Sequence, residues 1–214
     1  MTGVVRIEMA DLRLDADLVV PPDAKGLVIV AHGSGSGRAS PRNRMVADVL
    51  HRAGFATLLF DLLTVAEQRE DAVTGALRFD ISLLGERLIG AIDWAGQQPQ
   101  IGALPIGLFG ASTGAAAALV AAAARPQAVF AVVSRGGRPD LASDSLARVE
   151  APTLLVVGGD DDQVIVLNRR AAAQLPAPHA LEIVPGATHL FAEPGTLERV
   201  AELARDWFVA HCPA

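Results

Sequence analysis

Cysteine and the larger aromatic residues are scarce in this chain, which holds one Cys, no Tyr and two Trp among 214 residues. A single cysteine, Cys212, cannot form an intramolecular disulfide and is typical of a reducing compartment. The N-terminus lacks the basic and apolar segments of a signal peptide, so we expect a cytoplasmic protein. The longest apolar run, Ala115–Ala124, is about half of what a membrane-spanning helix needs. We therefore expect a soluble protein without a membrane partner.

Positive charge is also scarce, because 18 Lys and Arg stand against 24 Asp and Glu, a net charge of −6. A nucleic-acid-binding protein needs a clustered basic surface, so we expect no nucleic-acid partner. Acidic residues cluster at Asp160–Asp162 without a nearby His or Glu, which makes a poor metal site. We expect neither a metal nor a cofactor. The length fits one domain, which we predict to span residues 1–214.

Short apolar runs alternate with helical segments along most of the chain. Continuous apolar runs are typical of strands buried on both faces of a parallel sheet, and their alternation with helices indicates an α/β fold. We predict an α/β fold with about eight strands, mostly parallel, an N-terminal antiparallel hairpin, helices on both faces and no large cap. The predicted strands are Val4–Glu8, Leu12–Val20, Gly26–Ala31, Ala56–Phe60, Ile106–Phe109, Ala128–Val133, Thr153–Val157 and Leu181–Val184. The predicted helices are Pro41–Ala53, Asp80–Gln97, Thr113–Ala124, Asp140–Val149, Gln163–Gln174 and Leu197–His211.

The most polar interior stretch, Glu67–Gly75, is predicted to form a surface loop that could border the active site.

A G-x-S-x-G pattern at 110–114 lies between the fifth predicted strand and an alanine-rich helix. This strand–turn–helix context is the one that a nucleophile elbow requires. The pattern predicts Ser112 as a nucleophile whose hydroxyl is exposed on a sharp turn.

A serine nucleophile needs a base, and the base needs a carboxylate that orients it. Of five histidines, His189 follows the last predicted strand and is predicted as the general base. The carboxylate comes from Asp160, Asp161 or Asp162, which all follow the strand Thr153–Val157. The frame G-x-x-D-x-x-V from Gly158 favours Asp161. Together with the elbow, the order Ser, Asp, His along the chain is the one expected of an α/β-hydrolase fold.

The loop after the third predicted strand, HGSGSG at 32–37, is rich in glycine. Glycines let a backbone approach a substrate closely, and backbone N–H groups stabilise a developing oxyanion. We predict the N–H groups of Ser34 and Thr113 as the oxyanion hole.

Arginines follow two of the predicted strands: Arg38, Arg42 and Arg44 after the third, and Arg135 and Arg138 after the sixth. Guanidinium groups pair well with carboxylates, so Arg42 and Arg135 are candidate binding residues for an anionic substrate group. Pairing with local Asp and Glu, or plain solvation, is the alternative.

Together HGSGSG at 32–37, GASTG at 110–114, GGDDDQV at 158–164 and GATHLF at 186–191 resemble the α/β-hydrolase superfamily, specifically small capless dienelactone-hydrolase-like esterases. The resemblance implies a small carboxylic ester as substrate, with lactones and thioesters as alternatives. Dienelactone hydrolases proper carry a cysteine nucleophile where this chain has Ser112, which favours a serine esterase. Only about 20 residues separate Val133 from Thr153, where many superfamily members insert a cap, so an open site is expected.

Two other functions compete with the esterase hypothesis. A nucleotide-binding oxidoreductase would use the glycines at 33–37 and Asp61, but Arg38 occupies the position of the third glycine in G-x-G-x-x-G. A non-catalytic binding module on a hydrolase fold is the other alternative. Labelling by an active-site serine probe would distinguish a module from an enzyme.

Overall fold

A computed structural model describes residues 2–213; residues 1 and 214, the two ends of the predicted domain, lie outside the described part. Eight strands form one sheet in the order β1-β2-β4-β3-β5-β6-β7-β8. The strands are β1 Thr2–Met9, β2 Leu12–Val19, β3 Gly26–Ala31, β4 Phe55–Phe60, β5 Ile106–Ala111, β6 Val129–Arg135, β7 Thr153–Gly158 and β8 His179–Val184. β1 and β2 form an antiparallel hairpin, β2 is antiparallel to β4, and the remaining neighbours are parallel. The predicted mostly parallel sheet with an N-terminal hairpin is confirmed.

Six α-helices and two 3₁₀ segments connect the strands within residues 2–213. The helices are α1 Pro41–Arg52, α2 Val65–Thr74, α3 Ile81–Gly96, α4 Thr113–Ala124, α5 Asp162–Ala172 and α6 Thr196–His211, and the 3₁₀ segments are Leu77–Phe79 and Pro139–Arg148. None of these helices is both long and apolar enough to cross a bilayer.

Two hydrophobic clusters cover the two faces of the sheet. One joins β-strand residues such as Leu108 to α3 and α4, and the other joins Phe109 to α1 and α6. The alternation of neighbouring residues between the two clusters follows from the period of two in a strand. Four central strands, β3, β4, β5 and β7, are buried along their whole length, as their continuous apolar sequences predict.

Two predicted elements are wrong. The stretch Glu67–Gly75 is not a loop, because helix α2 runs through it and ends at Gly75, whose positive φ of 66° suits a C-terminal glycine. The segment Asp140–Val149 is not an α-helix, because Ser143 with φ 46° and ψ −126° interrupts two 3₁₀ turns. This 3₁₀ segment is all that the connection between β6 and β7 holds, and no cap covers the carboxyl edge there.

Candidate active site

Ser112 lies on the turn between β5 and α4, where its backbone has φ 50° and ψ −118°. Positive φ is costly for a residue with a side chain and clusters at functional sites. The two flanking glycines permit the turn. A Cβ on Gly110 would overlap the Cα of Ala115, and a Cβ on Gly114 would overlap the carbonyl oxygen of Ala31. The turn thus requires glycine at both positions, and it presents the serine hydroxyl at the carboxyl edge of the sheet.

His189 connects Ser112 to Asp161 through two hydrogen bonds. Its Nε2 is 3.3 Å from Ser112 Oγ, and its Nδ1 is 2.7 Å from Asp161 Oδ2. Asp161 directly precedes α5 and does not use its carboxylate to cap that helix. Of the three adjacent carboxylates, Asp160 and Asp162 are exposed, and neither contacts His189. An imidazole held in this way can accept a proton from the hydroxyl while the carboxylate fixes its tautomer.

The loop that carries His189 is braced by contacts that the sequence patterns do not reveal. The Glu193 carboxylate accepts hydrogen bonds from the Thr188 hydroxyl at 2.6 Å and the Thr188 N–H at 3.1 Å. Gly136 lies against the other side of the loop, where a Cβ would be 3.1 Å from the carbonyl oxygen of His189. Sequence reasoning missed both residues: Glu193 bonds a neighbour five residues away without belonging to any recognised pattern, and Gly136 acts through a loop that folding brings close.

Ser34 and Thr113 lie together beside the elbow, with their hydroxyl oxygens 3.2 Å apart. Thr113 is the first residue of α4, so its N–H has no partner within the helix. The Ser34 loop approaches the elbow closely, because a Cβ on Gly33 would be 3.0 Å from the carbonyl oxygen of Ala111. The loop and the first turn of α4 can therefore direct N–H groups toward one oxygen.

His32 anchors the same loop. The Leu62 N–H donates to His32 Nε2 at 3.0 Å, so Nδ1 carries the proton and donates to the carbonyl oxygen of Gly33 at 2.9 Å. Burial lowers the pKa of His32, although the Gly33 carbonyl and the Asp61 charge act in the opposite direction. The anchoring contacts thus belong to the neutral ring.

Asp61 also braces this loop. Its carboxylate accepts hydrogen bonds from the Arg38 N–H and from Arg38 Nη1, each at 2.8 Å. A Cβ on Gly37 would be 2.7 Å from Asp61 Oδ1. The carboxylate that the oxidoreductase hypothesis assigns to a ribose is therefore engaged with Arg38.

The arginines divide into paired and unpaired groups. Arg38 and Arg44 pair with Asp17, and Arg138 pairs with Asp140 at 2.8 Å. Within residues 2–213, no carboxylate pairs with Arg42 or Arg135, and Arg42 Nε and Arg135 Nη1 are buried without a hydrogen-bond partner. Burial, and secondarily the nearby charge of Arg42, lower the pKa of Arg135 to about 10.

Arg135 is directly connected to the elbow. The Ser112 N–H donates to the Arg135 carbonyl oxygen at 3.1 Å, and the guanidinium lies 6.0 Å from the centre of the Phe109 ring. Since Phe109 belongs to the cluster formed with α1 and α6, the two unpaired arginines lie on the α1 side of Ser112. A buried cation without a counter-ion is costly unless something pairs with it.

The family model for the dienelactone hydrolase family matches residues 14–209. A Mycobacterium tuberculosis protein, provisionally named a phosphoribosyl transferase, is 58% identical over 207 residues. The match covers 97% of this chain and 46% of that protein, so the chain spans about half the length of the curated relatives it matches.

Solved structures share the fold over the whole chain. The crystal structure of a dienelactone hydrolase from Anabaena variabilis is 54% identical, with a TM-score of 0.98 and coverage of 100% of this chain and 99% of that one. Est1E from Butyrivibrio proteoclasticus is 18% identical, with a TM-score of 0.81 and coverage of 98% of both chains. At that identity the likeness to Est1E extends to the fold alone.

Proposed function

Because the chain belongs to the dienelactone hydrolase family, we propose that it is a serine hydrolase that cleaves small carboxylic esters. The observation that supports this most is the hydrogen-bonded series Ser112–His189–Asp161, at 3.3 Å and 2.7 Å. The hydrolase proposal concerns residues 14–209, whereas the name phosphoribosyl transferase describes proteins of about twice this length.

In the proposed mechanism the ester carbonyl oxygen accepts hydrogen bonds from the N–H groups of Ser34 and Thr113. His189 removes the Ser112 proton as Ser112 Oγ attacks the carbonyl carbon, and Asp161 stabilises the imidazolium. His189 then protonates the leaving alcohol, and an acyl-enzyme remains. Water, deprotonated by His189, attacks the acyl-enzyme and releases the acid.

Hydrolysis of p-nitrophenyl esters from acetate to octanoate, by the protein and by Ser112→Ala, tests the proposal. We expect turnover by the native chain and a loss on the order of 10⁶-fold in the variant, since triad members act as a unit. Equal rates for both proteins would contradict it. Labelling with a fluorophosphonate is the independent measurement: a non-catalytic binding module would leave Ser112 unlabelled.

The proposal includes an anionic group on the leaving-alcohol side of the ester, paired with Arg42 and Arg135. Its support is the buried Arg135 and the buried Nε of Arg42, neither of which has a carboxylate partner or a hydrogen bond at the buried atom. An anion there would relieve both the unmet hydrogen bonding and the mutual repulsion of the two cations.

Arg135→Met tests this anion site. We expect kcat/KM for 4-acetoxybenzoate to fall roughly tenfold to hundredfold, the range for a hydrogen bond to a charged group, while that for the neutral 4-acetoxybenzamide changes little. The Tm should not fall, because an unpaired buried charge is replaced by an apolar chain of similar length. Arg138→Met, in the same loop but paired with Asp140, is the control. Equal losses on both esters would rule out anion recognition.

A further inference from the structure

A cavity of about 220 Å³ lies between the loop after β3 and helix α2. Its lining includes Ser34 and Thr113, the two proposed oxyanion donors, but neither Ser112 nor His189. A substrate whose carbonyl oxygen faces those donors would therefore have one of its two substituents beside this cavity.

The inner wall of the cavity is apolar. Leu62, Leu63 and Leu84 line it, and each of them is buried in the hydrophobic cluster under α3 and α4. On the opposite side the cavity is lined by Gln68 and Ala72 of helix α2. Such walls favour an alkyl group over a charged one. Of the unpaired arginines, Arg135 lies beside Phe109 of the other cluster and Arg42 belongs to α1, which packs on that cluster. The cavity and the proposed anion site therefore lie on opposite faces of the sheet.

The position of His189 decides which substituent the cavity takes. In ester cleavage by a serine–histidine pair, the histidine gives its proton to the leaving alcohol, so the alcohol must lie beside His189. His189 does not line the cavity, which leaves the acyl chain as the group that enters it. This step rests on the proposed function.

We propose that this cavity is an acyl pocket for short aliphatic chains and that α2 forms its selective wall. At roughly 30 Å³ for each water-sized group, 220 Å³ corresponds to about seven such groups. Acetyl, butanoyl and hexanoyl chains fit within this volume, and a decanoyl chain exceeds it.

Helix α2 is held in place by polar contacts. Asp71 is the only buried residue of this helix, so burial of apolar side chains does not hold it. Arg78 donates to the Asp71 carboxylate from its N–H at 2.9 Å and from Nε at 2.7 Å, and to the Asp71 carbonyl oxygen from Nη2 at 2.9 Å. A second ion pair joins Glu67 of α2 to Arg87 of α3 at 2.7 Å.

Arg78 also links this wall to the oxyanion loop. It lines the cavity, and its Nη1 is 3.9 Å from the position of a Cβ on Gly35. Asp71 and Arg78 both line the cavity, so their ion pair attaches α2 on the side of the pocket that faces the loop. Both residues act as positioning residues rather than catalytic ones.

Two substitutions that change the pocket in opposite directions test the proposal. Ala72→Leu fills it, and Leu84→Ala enlarges it. Val73→Leu is the matched control, because Val73 is the next residue of the same helix and 88% exposed. For each protein we would measure kcat/KM on p-nitrophenyl acetate, butanoate, hexanoate and decanoate, together with the Tm.

We expect native activity to peak at butanoate or hexanoate. Ala72→Leu should lower the hexanoate-to-acetate ratio of kcat/KM at least tenfold, the scale on which a pocket discriminates single methylene groups. Leu84→Ala should raise the decanoate-to-acetate ratio, and Val73→Leu should leave both ratios unchanged. Leu84 is buried, so Leu84→Ala is expected to lower the Tm. If it does, the chain-length ratios of Ala72→Leu, a change on an exposed helix, test the pocket proposal.

Failure of the pocket and failure of the esterase proposal give different results. Ester hydrolysis with the same chain-length ratios in native protein and Ala72→Leu would overturn the pocket alone. A native protein that cleaves no ester would overturn the esterase proposal. The pocket proposal would then be tested by measuring the binding of acetate and hexanoate by NMR. Tighter binding of hexanoate that Ala72→Leu abolishes would support an alkyl pocket, and equal binding of the two acids would overturn it.

Discussion

Backbone strain is concentrated at two residues of the candidate site. Of four non-glycine residues with positive φ in residues 2–213, Ser112 forms the elbow and Phe191 lies two positions after His189. Each has φ near 50° and is held there by its surroundings. The Ser112 N–H donates a hydrogen bond to the carbonyl oxygen of Arg135, and the Phe191 side chain is buried in the cluster under α1 and α6. Strain that persists at such positions indicates that the site is already arranged before substrate binds.

The choice among three adjacent carboxylates leads to the first of our site predictions at the residue scale. Asp161→Asn should leave the fold intact and lower kcat on the order of 10⁴-fold, because an amide favours the wrong imidazole tautomer. Asp160→Asn and Asp162→Asn are matched controls at exposed neighbouring positions and should each change kcat by less than about tenfold. A larger loss in Asp162→Asn than in Asp161→Asn would make the acid assignment wrong.

At the scale of elements, α2 is the helix that sequence reasoning missed. Its four apolar residues, Val65, Ala66, Ala72 and Val73, are all exposed, and a helix without a buried apolar face has no hydrophobic periodicity to detect. One signal was available: Thr64 and Glu67 have the spacing of a capping box, and each side chain bonds the other's backbone N–H.

A helix held by polar contacts should open more readily than one buried in the core. We expect the backbone amides of residues 69–74 to exchange with solvent faster than those at the centre of α3, as measured by hydrogen–deuterium exchange. Thr64→Ala should cost about 1 kcal/mol of cap stabilisation and speed exchange in α2 but not in α3. Val73→Ala, at an exposed position on the same helix, should not speed exchange in α2. Slow exchange of α2 in the native protein would contradict this account of its attachment.

At the scale of the whole molecule, strand order assembles the site. β3 and β5 are neighbours in the sheet although 74 residues separate the end of one from the start of the other. Their carboxyl ends bring the Ser34 loop to the elbow, and β7 beside β8 brings Asp161 to His189. All four loops leave the same edge because these strands are parallel.

The buried His32 and the partly buried His51 should make the stability of the whole fold sensitive to acid. Burial lowers the pKa values of both His32 and His51 below 6.5, their ordinary value. The unfolded chain therefore binds protons near pH 6.5 that the folded chain does not yet bind, and stability is lost as pH falls below that value. The loss from each histidine ends once the pH falls below its pKa in the folded protein.

Thermal unfolding between pH 7 and pH 5 measures this effect. We expect the Tm of the native protein to fall across that range, and the fall to be smaller in the double variant His32→Gln, His51→Gln. His179→Gln removes an exposed histidine and serves as the control. A double variant with the same pH dependence as the native protein would show that other groups cause the loss.

The sequence by itself determined the sheet and the residues at its carboxyl edge. Continuous apolar runs identified the six strands β3 to β8, and β-rich, partly alternating segments identified the hairpin strands β1 and β2, with ends that differ from the structure by only a few residues. Such runs suit the central strands that are buried along their whole length. The G-x-S-x-G pattern identified the elbow because sterics allow no side chain at Gly110 or Gly114. The Asp140–Val149 segment, by contrast, was wrongly predicted as an α-helix. Ser143 interrupts it with a conformation that no periodic pattern encodes.

Only the tertiary structure decided which charges meet. It brought Asp161 rather than its neighbours to His189, paired Arg38, Arg44 and Arg138 while leaving Arg42 and Arg135 without a carboxylate, and attached α2 through Asp71 and Arg78. The physical reason is range. Apolar periodicity acts within a few residues of sequence, whereas the Asp161–His189 and Asp17–Arg44 pairs and the cavity join elements that folding brings together from distant parts of the chain.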